Sequence, residues 1–385
     1  MPVSARIGGI SESPTLALNA KAKELKSKGV DVVNFTAGEP DFDTPDNIKH
    51  AAIKAIKDGF TKYTPPAGTP ELRKAIADKL KRENGLDYGP NQIIVSCGGK
   101  HSLYNAVMTV CNPGDEVIIP SPYWVTYPEQ VKLAGGEPVI AKTSGEGFRL
   151  LAKDIEGKLT RRTKAIILNS PNNPTGAVYE KSELKKIASI AAEKDIYVIS
   201  DEIYEHLIYE GEHVSIASLG PGIKEKTIII NGAAKSYAMT GWRIGWAAGP
   251  EDIVKGMTKL QSQTTSNPTS NAQMAYLEAL RGDQSSVHKM REAFRKRRDL
   301  IVGKLNEIDG ISCPKPGGSF YVFPDVSGLS RDSMGFSDRL LENAKVAVVP
   351  GLAFGAEGHV RMSYACSEET INKGIERIRD FVRSA

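Results

Sequence analysis

The chain has 385 residues, 40% of them hydrophobic and 25% charged, with a formal net charge of +4 in which basic and acidic residues are intermixed. That length exceeds the roughly 250–300 residues at which single cores stop growing, so two domains are expected. The small, dispersed charge argues against nucleic-acid binding, which needs a concentrated basic face, and no apolar run approaches the roughly 20 residues of a membrane span.

Along the chain, the opening MPVSARIGGISESP lacks the charged start and apolar core of a secretory signal, so a cytoplasmic location is expected. In SPTLALNAKAKELKSKG, Ser13 can cap a helix, Pro14 suits its first position and Gly29 can end it; Thr69, Pro70 and Gly85 take the same roles in TPELRKAIADKLKRENG. Six apolar runs then read as strands: QIIVSC from Gln92, DEVIIP from Asp115, KAIILN from Lys164, DIYVIS from Asp195, KTIIIN from Lys226 and RIGWAA from Arg243. Runs of this kind are buried on both faces, which predicts an α/β fold with a mainly parallel sheet covered by helices. In KMREAFRKRRDLIVGKL, Met290, Phe294, Ile301 and Leu305 recur at near-helical spacing, so its basic residues read as the solvated side of an amphipathic helix. Beyond it, SFYVFPDV from Ser319, VAVVPG from Val346 and HVRMSYA from His359 alternate with helical patterns, as in a smaller α+β domain. Cys97, Cys111, Cys313 and Cys366 lie far apart without paired spacing, which predicts reduced thiols and neither a disulfide framework nor a metal site.

Parallel strands deliver side chains and helix amino termini to one sheet edge, where ligands bind. SCGGKHSLYNAV passes from a strand through Gly98 and Gly99 into a helix whose free N–H groups could hold a phosphate, or it makes only a tight turn. Asp201, leaving the run DIYVIS with Tyr204 three residues on, could hold a proton on a ring nitrogen or could cap a following helix. Asn172 and Asn173 sit between two prolines in the turn SPNNPTG. Lys235, in NGAAKSYAMTGWR, follows the small residues Ala233 and Ala234 and has Arg243 further along. Desolvation and a neighbouring cation would lower its pKa and let it form an imine with an aldehyde, the alternative being an exposed loop lysine. The planar fork of Arg243 also suits a phosphate. Strand alternation sets Val360, Met362 and Tyr364 on one face and Arg361 with Ser363 on the other, so Arg361 would bind a carboxylate or join a surface ion pair. A phosphate, a cationic ring nitrogen, an aldehyde and a carboxylate together describe pyridoxal phosphate with an amino acid.

The motifs FTAGEPDFDTP, KYTPPAGTPELR, GGKHSLYN, SPYWVTYPE, NSPNNPTG, SDEIYEHL, AAKSYAMTGWRIG and VRMSYA occur in that order, nearly end to end. In this the chain resembles the class I, fold-type I aminotransferases that depend on pyridoxal phosphate, and within them the prokaryotic aspartate aminotransferase branch. The resemblance implies a mainly parallel seven-stranded sheet in a large domain plus a smaller α+β domain. The expected division is an arm and part of the small domain over 1–45, the large domain over 46–285, and the small domain over 286–385, joined by a long helix. It further implies that Lys235 forms the internal aldimine and shuttles the proton between substrate Cα and cofactor, which passes through a pyridoxamine form. Asp201 would keep the ring nitrogen protonated, Tyr204 and Asn173 would bond the phenolic oxygen, and Trp124 would stack on the ring. Gly99 and Lys100 backbone amides with Arg243 would hold the phosphate, joined by Tyr63 from a second subunit of a homodimer. Arg361, the Gly38 backbone and Asn173 would take the substrate α-carboxylate, and domain closure would exclude water.

Substrates so implied are aspartate or glutamate and a 2-oxo acid such as 2-oxoglutarate, with Lys100 and Thr15 meeting the far carboxylate or accompanying use of prephenate. The chain departs from many relatives in carrying Ala234, where they have a serine before the lysine. Lyase chemistry and an aromatic or alanine preference are alternatives on the same fold. A ligand-sensing regulator is disfavoured, since few residues precede the first motif, and the expectation is an amino-acid-metabolising transferase.

Overall fold

The computed structural model describes residues 3–12 and 14–384. Ser13, assigned above to a helix cap, lies outside the described residues. The helix it would open runs Pro14–Ser27, and Gly29 follows with φ of +82°. In the helix Pro70–Asn84, Thr69 Oγ1 accepts the Leu72 amide at 3.3 Å and Gly85 turns left-handed at φ +66°, so both ends are fixed by residues the chain carries locally.

Val33–Asn34 forms β1, and the six apolar runs become β2 (Ile93–Ser96), β3 (Glu116–Ser121), β5 (Thr163–Asn169), β6 (Tyr197–Asp201), β7 (Thr227–Gly232) and β8 (Gly245–Ala248), with β4 (Glu137–Lys142) added between β3 and β5 in sequence. They make a seven-stranded sheet in the order β2-β8-β7-β6-β5-β3-β4. The edge strand β4 escaped the sequence reading because it pairs only with β3, is largely half-exposed, and carries Pro138, so no continuous apolar run marks it. Within β7, Ile228 and Ile230 enter one core and Ile229 the other, the two-sided burial expected of a covered sheet. Each such isoleucine contributes about 1.5–3 kcal/mol.

All pairings are parallel except those of β8, which runs antiparallel to both β2 and β7. The chain from β7 to β8 loops back along the same edge without a crossover helix, which an antiparallel neighbour permits. That loop carries Lys235 and Arg243. Its two ends, Gly232 and Gly245, pair directly, and a Cβ at Gly245 would lie 2.1 Å from the Gly99 amide nitrogen. Only glycine lets the start of the Gly99–Val110 helix approach so closely.

The second part is built from both chain ends. β9 (Tyr321–Val322), β11 (Val349–Pro350) and β12 (Val360–Ser363) form an antiparallel sheet in the order β11-β12-β9, while β10 (Val346–Ala347) pairs in parallel with β1. Val33 and Phe35 share one core with Phe294, Met362 and Ile375. The helix Ser285–Leu305 spans the two parts, placing Val287 in a core of the seven-stranded sheet and Met290, Phe294, Ile301 and Leu305 in the other. Its basic residues are not all solvated. Arg298 is 2% exposed, because its guanidinium packs over the Tyr209 ring and donates to the Pro316 carbonyl at 3.1 Å while meeting Asp299 and Glu210. Nor is one face of β12 open, since all four of its residues are buried. All four cysteines are free thiols. Among the described residues, no helix is long and apolar enough to cross a membrane.

Candidate active site

The carboxyl ends of β5 and β6 bring Asn169 and Asp201 into register, and the loop after β7 brings Lys235 beside them. Asp201 is buried; Tyr127 donates to its Oδ2 at 2.8 Å and the Ile203 amide to its Oδ1 at 3.2 Å. Burial pushes its carboxyl up to about 6, against the pull of these two bonds. Turns rather than a helix follow it, so helix capping is not its role. The Lys235 ammonium donates to the Gly38 carbonyl at 2.5 Å and lies 5.9 Å from the Tyr204 ring centroid. Burial lowers its pKa to about 8; Glu39 opposes that shift, and the cations of Arg361 and Arg243 add to it. This is no exposed loop lysine.

One wall has the chemistry of an anion site. Gly98, at φ +91°, precedes the Gly99–Val110 helix, whose first amides at Gly99 and Lys100 have no intrahelical partner. A Cβ at Gly98 would stand 2.7 Å from Arg243 Nη2, so the missing side chain is what lets the guanidinium lie against the helix start. Arg243 itself adopts φ +57°, with Nη1 donating to the Thr240 carbonyl at 2.9 Å. Lys100 is exposed as a residue, but its ammonium lies 4.8 Å over Trp124 at the cleft mouth, where partial desolvation, with Arg243 adding to it, lowers its pKa.

The opposite wall is cationic in a different way. Arg361 is 2% exposed; it donates from Nη1 to Asn173 Oδ1 at 3.0 Å and from Nη2 to the Thr36 carbonyl at 2.9 Å, while Nε has no partner among the described residues. Its guanidinium lies 4.5 Å from the Tyr321 ring centroid and 5.1 Å from that of Phe354. Among the described residues no carboxylate pairs with it, which rules out a surface ion pair. Burying such a charge is costly unless an anion meets it, and the side chain faces the cleft. With Asn173 Oδ1 engaged, the NH2 of that amide is its remaining polar group.

The cleft between the walls encloses about 380 Å³. Every site residue expected from the sequence lines it, from Thr15, Gly38, Gly99, Lys100 and Trp124 to Asn173, Asp201, Tyr204, Lys235, Arg243 and Arg361, with the exception of Tyr63. Tyr63 is 91% exposed elsewhere on the surface. Thr15 Oγ1 is buried there without a partner among the described residues. Ala234 also lines the cleft, and the neighbouring Ser236 hydroxyl does not replace the missing one, being engaged with His206 Nδ1 at 3.0 Å. Sequence reasoning missed Tyr127, Glu39 and Tyr321. Tyr127 stands three residues after Trp124, its amide donating to the Trp124 carbonyl at 3.0 Å in the turn that opens the helix Thr126–Leu133, and their rings meet edge-on at 5.5 Å.

Pyridoxal phosphate fits this donor set. The Gly99 and Lys100 amides with Arg243 suit its phosphate, the buried Asp201 carboxylate suits a protonated ring nitrogen, Tyr204 suits the phenolic oxygen, and the depressed Lys235 amine suits the aldehyde.

Residues 30–378 match the family model for aminotransferase class I and II. The chain is 52% identical to the probable aspartate/prephenate aminotransferase of Aquifex aeolicus, with 98% of each chain covered, and 51% identical to the aspartate aminotransferase of Bacillus sp. strain YM-2, again over 98% of each. Its fold superimposes on the aspartate aminotransferase from Thermus thermophilus with maleate at a TM-score of 0.96, with 50% identity and 99% of each chain covered. Identity at half of all positions from end to end, with the cleft chemistry in place, goes beyond a shared architecture: the chain belongs to the class I and II aminotransferases.

Proposed function

We propose that this protein transfers the α-amino group of aspartate or glutamate to a 2-oxo acid such as 2-oxoglutarate. The observation that carries the reading is the Lys235 amine, depressed to about 8 and set between the buried carboxylate of Asp201 and the uncompensated cation of Arg361. The cofactor is pyridoxal phosphate, which supplies an aldehyde for the amino nitrogen and a ring that withdraws electrons from Cα when bound.

The chain's own residues do the rest. Arg361, with the Asn173 amide, holds the α-carboxylate by charge-assisted bonds and so fixes which Cα bond stands toward Lys235. Asp201 would hold a proton on the ring nitrogen; in the low-dielectric floor an adjacent cation would restore the ionised form that burial alone disfavours. Lys235 Nζ, neutral above about pH 8 when free, takes and returns the Cα proton. Tyr204 would donate to the phenolic oxygen, and Arg243 with the Gly99 and Lys100 amides would anchor the phosphate. Tyr63, standing 91% exposed, is suited to reach the phosphate site of a second copy in a homodimer.

Adding aspartate or glutamate to the purified holoenzyme without any oxo acid should bleach its visible absorbance stoichiometrically, and 2-oxoglutarate or oxaloacetate should restore it. Release of ammonia without restoration would favour lyase chemistry instead. Lys235→Ala should reduce turnover by at least about 10³-fold.

A second reading, use of prephenate, is favoured by Lys100 and Thr15 both lining the cleft, and four of the relatives above 45% identity bear the name aspartate/prephenate aminotransferase or its probable form. Turnover of prephenate with either amino donor tests it directly.

A further inference from the structure

Tyr321 stands where the two walls of the cleft meet, and no role assigned above uses it. It opens β9 in register with Ser363 of β12 and is fully buried. Its ring lies beneath the Arg361 guanidinium at 4.5 Å. Its hydroxyl lies 3.2 Å from the Tyr204 hydroxyl and close to Gly38, where a Cβ would stand 3.3 Å away. One side chain thus touches both the arginine of the small-domain wall and the tyrosine of the large-domain floor.

We propose that Tyr321 is a positioning residue that couples these two groups: its ring holds Arg361 for the substrate carboxylate, while its hydroxyl donates to Tyr204 and strengthens that phenol as a donor to the cofactor. The inference rests on the transaminase reading, which gives the Tyr204 proton to the phenolic oxygen. The direction of the shared bond then follows from counting protons. Burial keeps both phenols protonated at neutral pH, with the Arg361 charge opposing that effect only in part. Two phenols joined by one hydrogen bond share one proton and have one over. Since the Tyr204 proton is committed to the cofactor, the shared one comes from Tyr321. A hydroxyl that accepts one bond while donating another is polarised and donates more strongly. Stronger donation stabilises negative charge on the phenolic oxygen, so the proton that oxygen shares with the Lys235 nitrogen is lost at lower pH.

The test is a pH titration of the visible absorbance of the holoenzyme, wild type against Tyr321→Phe, which keeps the ring under Arg361 and removes only the hydroxyl. The midpoint should rise by about 0.3–0.7 unit, from the strengthening typical of one cooperative bond. Turnover should fall about threefold while KM for aspartate stays within about twofold. Tyr321→Leu, which removes the ring as well, should raise KM for aspartate about tenfold. An unmoved midpoint in Tyr321→Phe overturns the hydroxyl's part, and an unmoved KM in Tyr321→Leu overturns the ring's. A wild-type holoenzyme whose cofactor borohydride does not fix to Lys235 would instead overturn the transaminase reading, and the coupling with it.

Discussion

Arg298 and Arg361 are equally buried, each 2% exposed, yet their surroundings differ in kind. Arg298 meets Asp299 at 2.8 Å and Glu210 at 3.2 Å, both half-exposed, so its charge is balanced within the fold. Among the described residues Arg361 meets only neutral acceptors and ring faces, and its Nε has no partner. The same contrast separates two lysines. Lys79 is buried against the Glu205 carboxylate, whereas Lys235 donates to a backbone carbonyl and has its pKa lowered. A balanced buried cation serves the fold. An unbalanced one costs stability and is retained where an external anion, or a reactive amine, is required.

That contrast can be broken at several points. Arg361→Leu removes two charge-assisted bonds worth about 1.5–3 kcal/mol each, so kcat/KM for aspartate should fall on the order of 10³-fold in steady-state assays. A loss of less than tenfold would mean that the carboxylate is bound elsewhere.

The free amine of Lys235 should govern reloading of the apoenzyme with pyridoxal phosphate. Because its folded-state pKa is lowered to about 8, the neutral, nucleophilic fraction grows about tenfold per pH unit below that value and levels off above it. The rate of absorbance recovery at fixed cofactor concentration should therefore climb about fiftyfold from pH 6 to pH 8. A climb that continues past pH 9 would place the amine among ordinary lysines and erase its difference from them.

Lys100→Ala sharpens the comparison on an exposed cation. It should reduce turnover of aspartate about tenfold and that of alanine or phenylalanine little, since only dicarboxylates present a second anion. An equal loss on all three would assign the side chain to something other than selection.

Arg298→Met should show the smallest change in activity, with kcat/KM within about threefold of wild type. Its cost should appear in thermal unfolding as a drop of a few degrees, from lost packing and the unpaired Pro316 carbonyl. Loss of activity comparable to Arg361→Leu would contradict the division between structural and functional cations.

Much of this was legible in the chain itself. Thr69, Pro70 and Gly85 bound a helix because capping acts within a few residues, and six strands announced themselves because two-sided burial writes a continuous apolar run. Lys235 and Asp201 could be singled out because each follows such a run, and Arg361 because it interrupts an alternating one. The edge strand β4 could not, since a half-exposed strand leaves no such run. The buried state of Arg298 was equally hidden, because a helix stripe shows which residues can face a core but not that a later loop will supply Pro316.

The sequence by itself determined local structure, the strand ends that carry reactive groups, and the ordered motifs of the family. Only the tertiary structure decided which charges are balanced, that Tyr127 supports Asp201, and that Tyr321 joins Tyr204 to the Arg361 wall. Arg361 and Asn173 are 188 residues apart, and Tyr204 and Tyr321 are 117. Periodicity and capping act over one or two turns, whereas desolvation and hydrogen bonding between distant segments depend on how the sheets and helices pack, which no local pattern records.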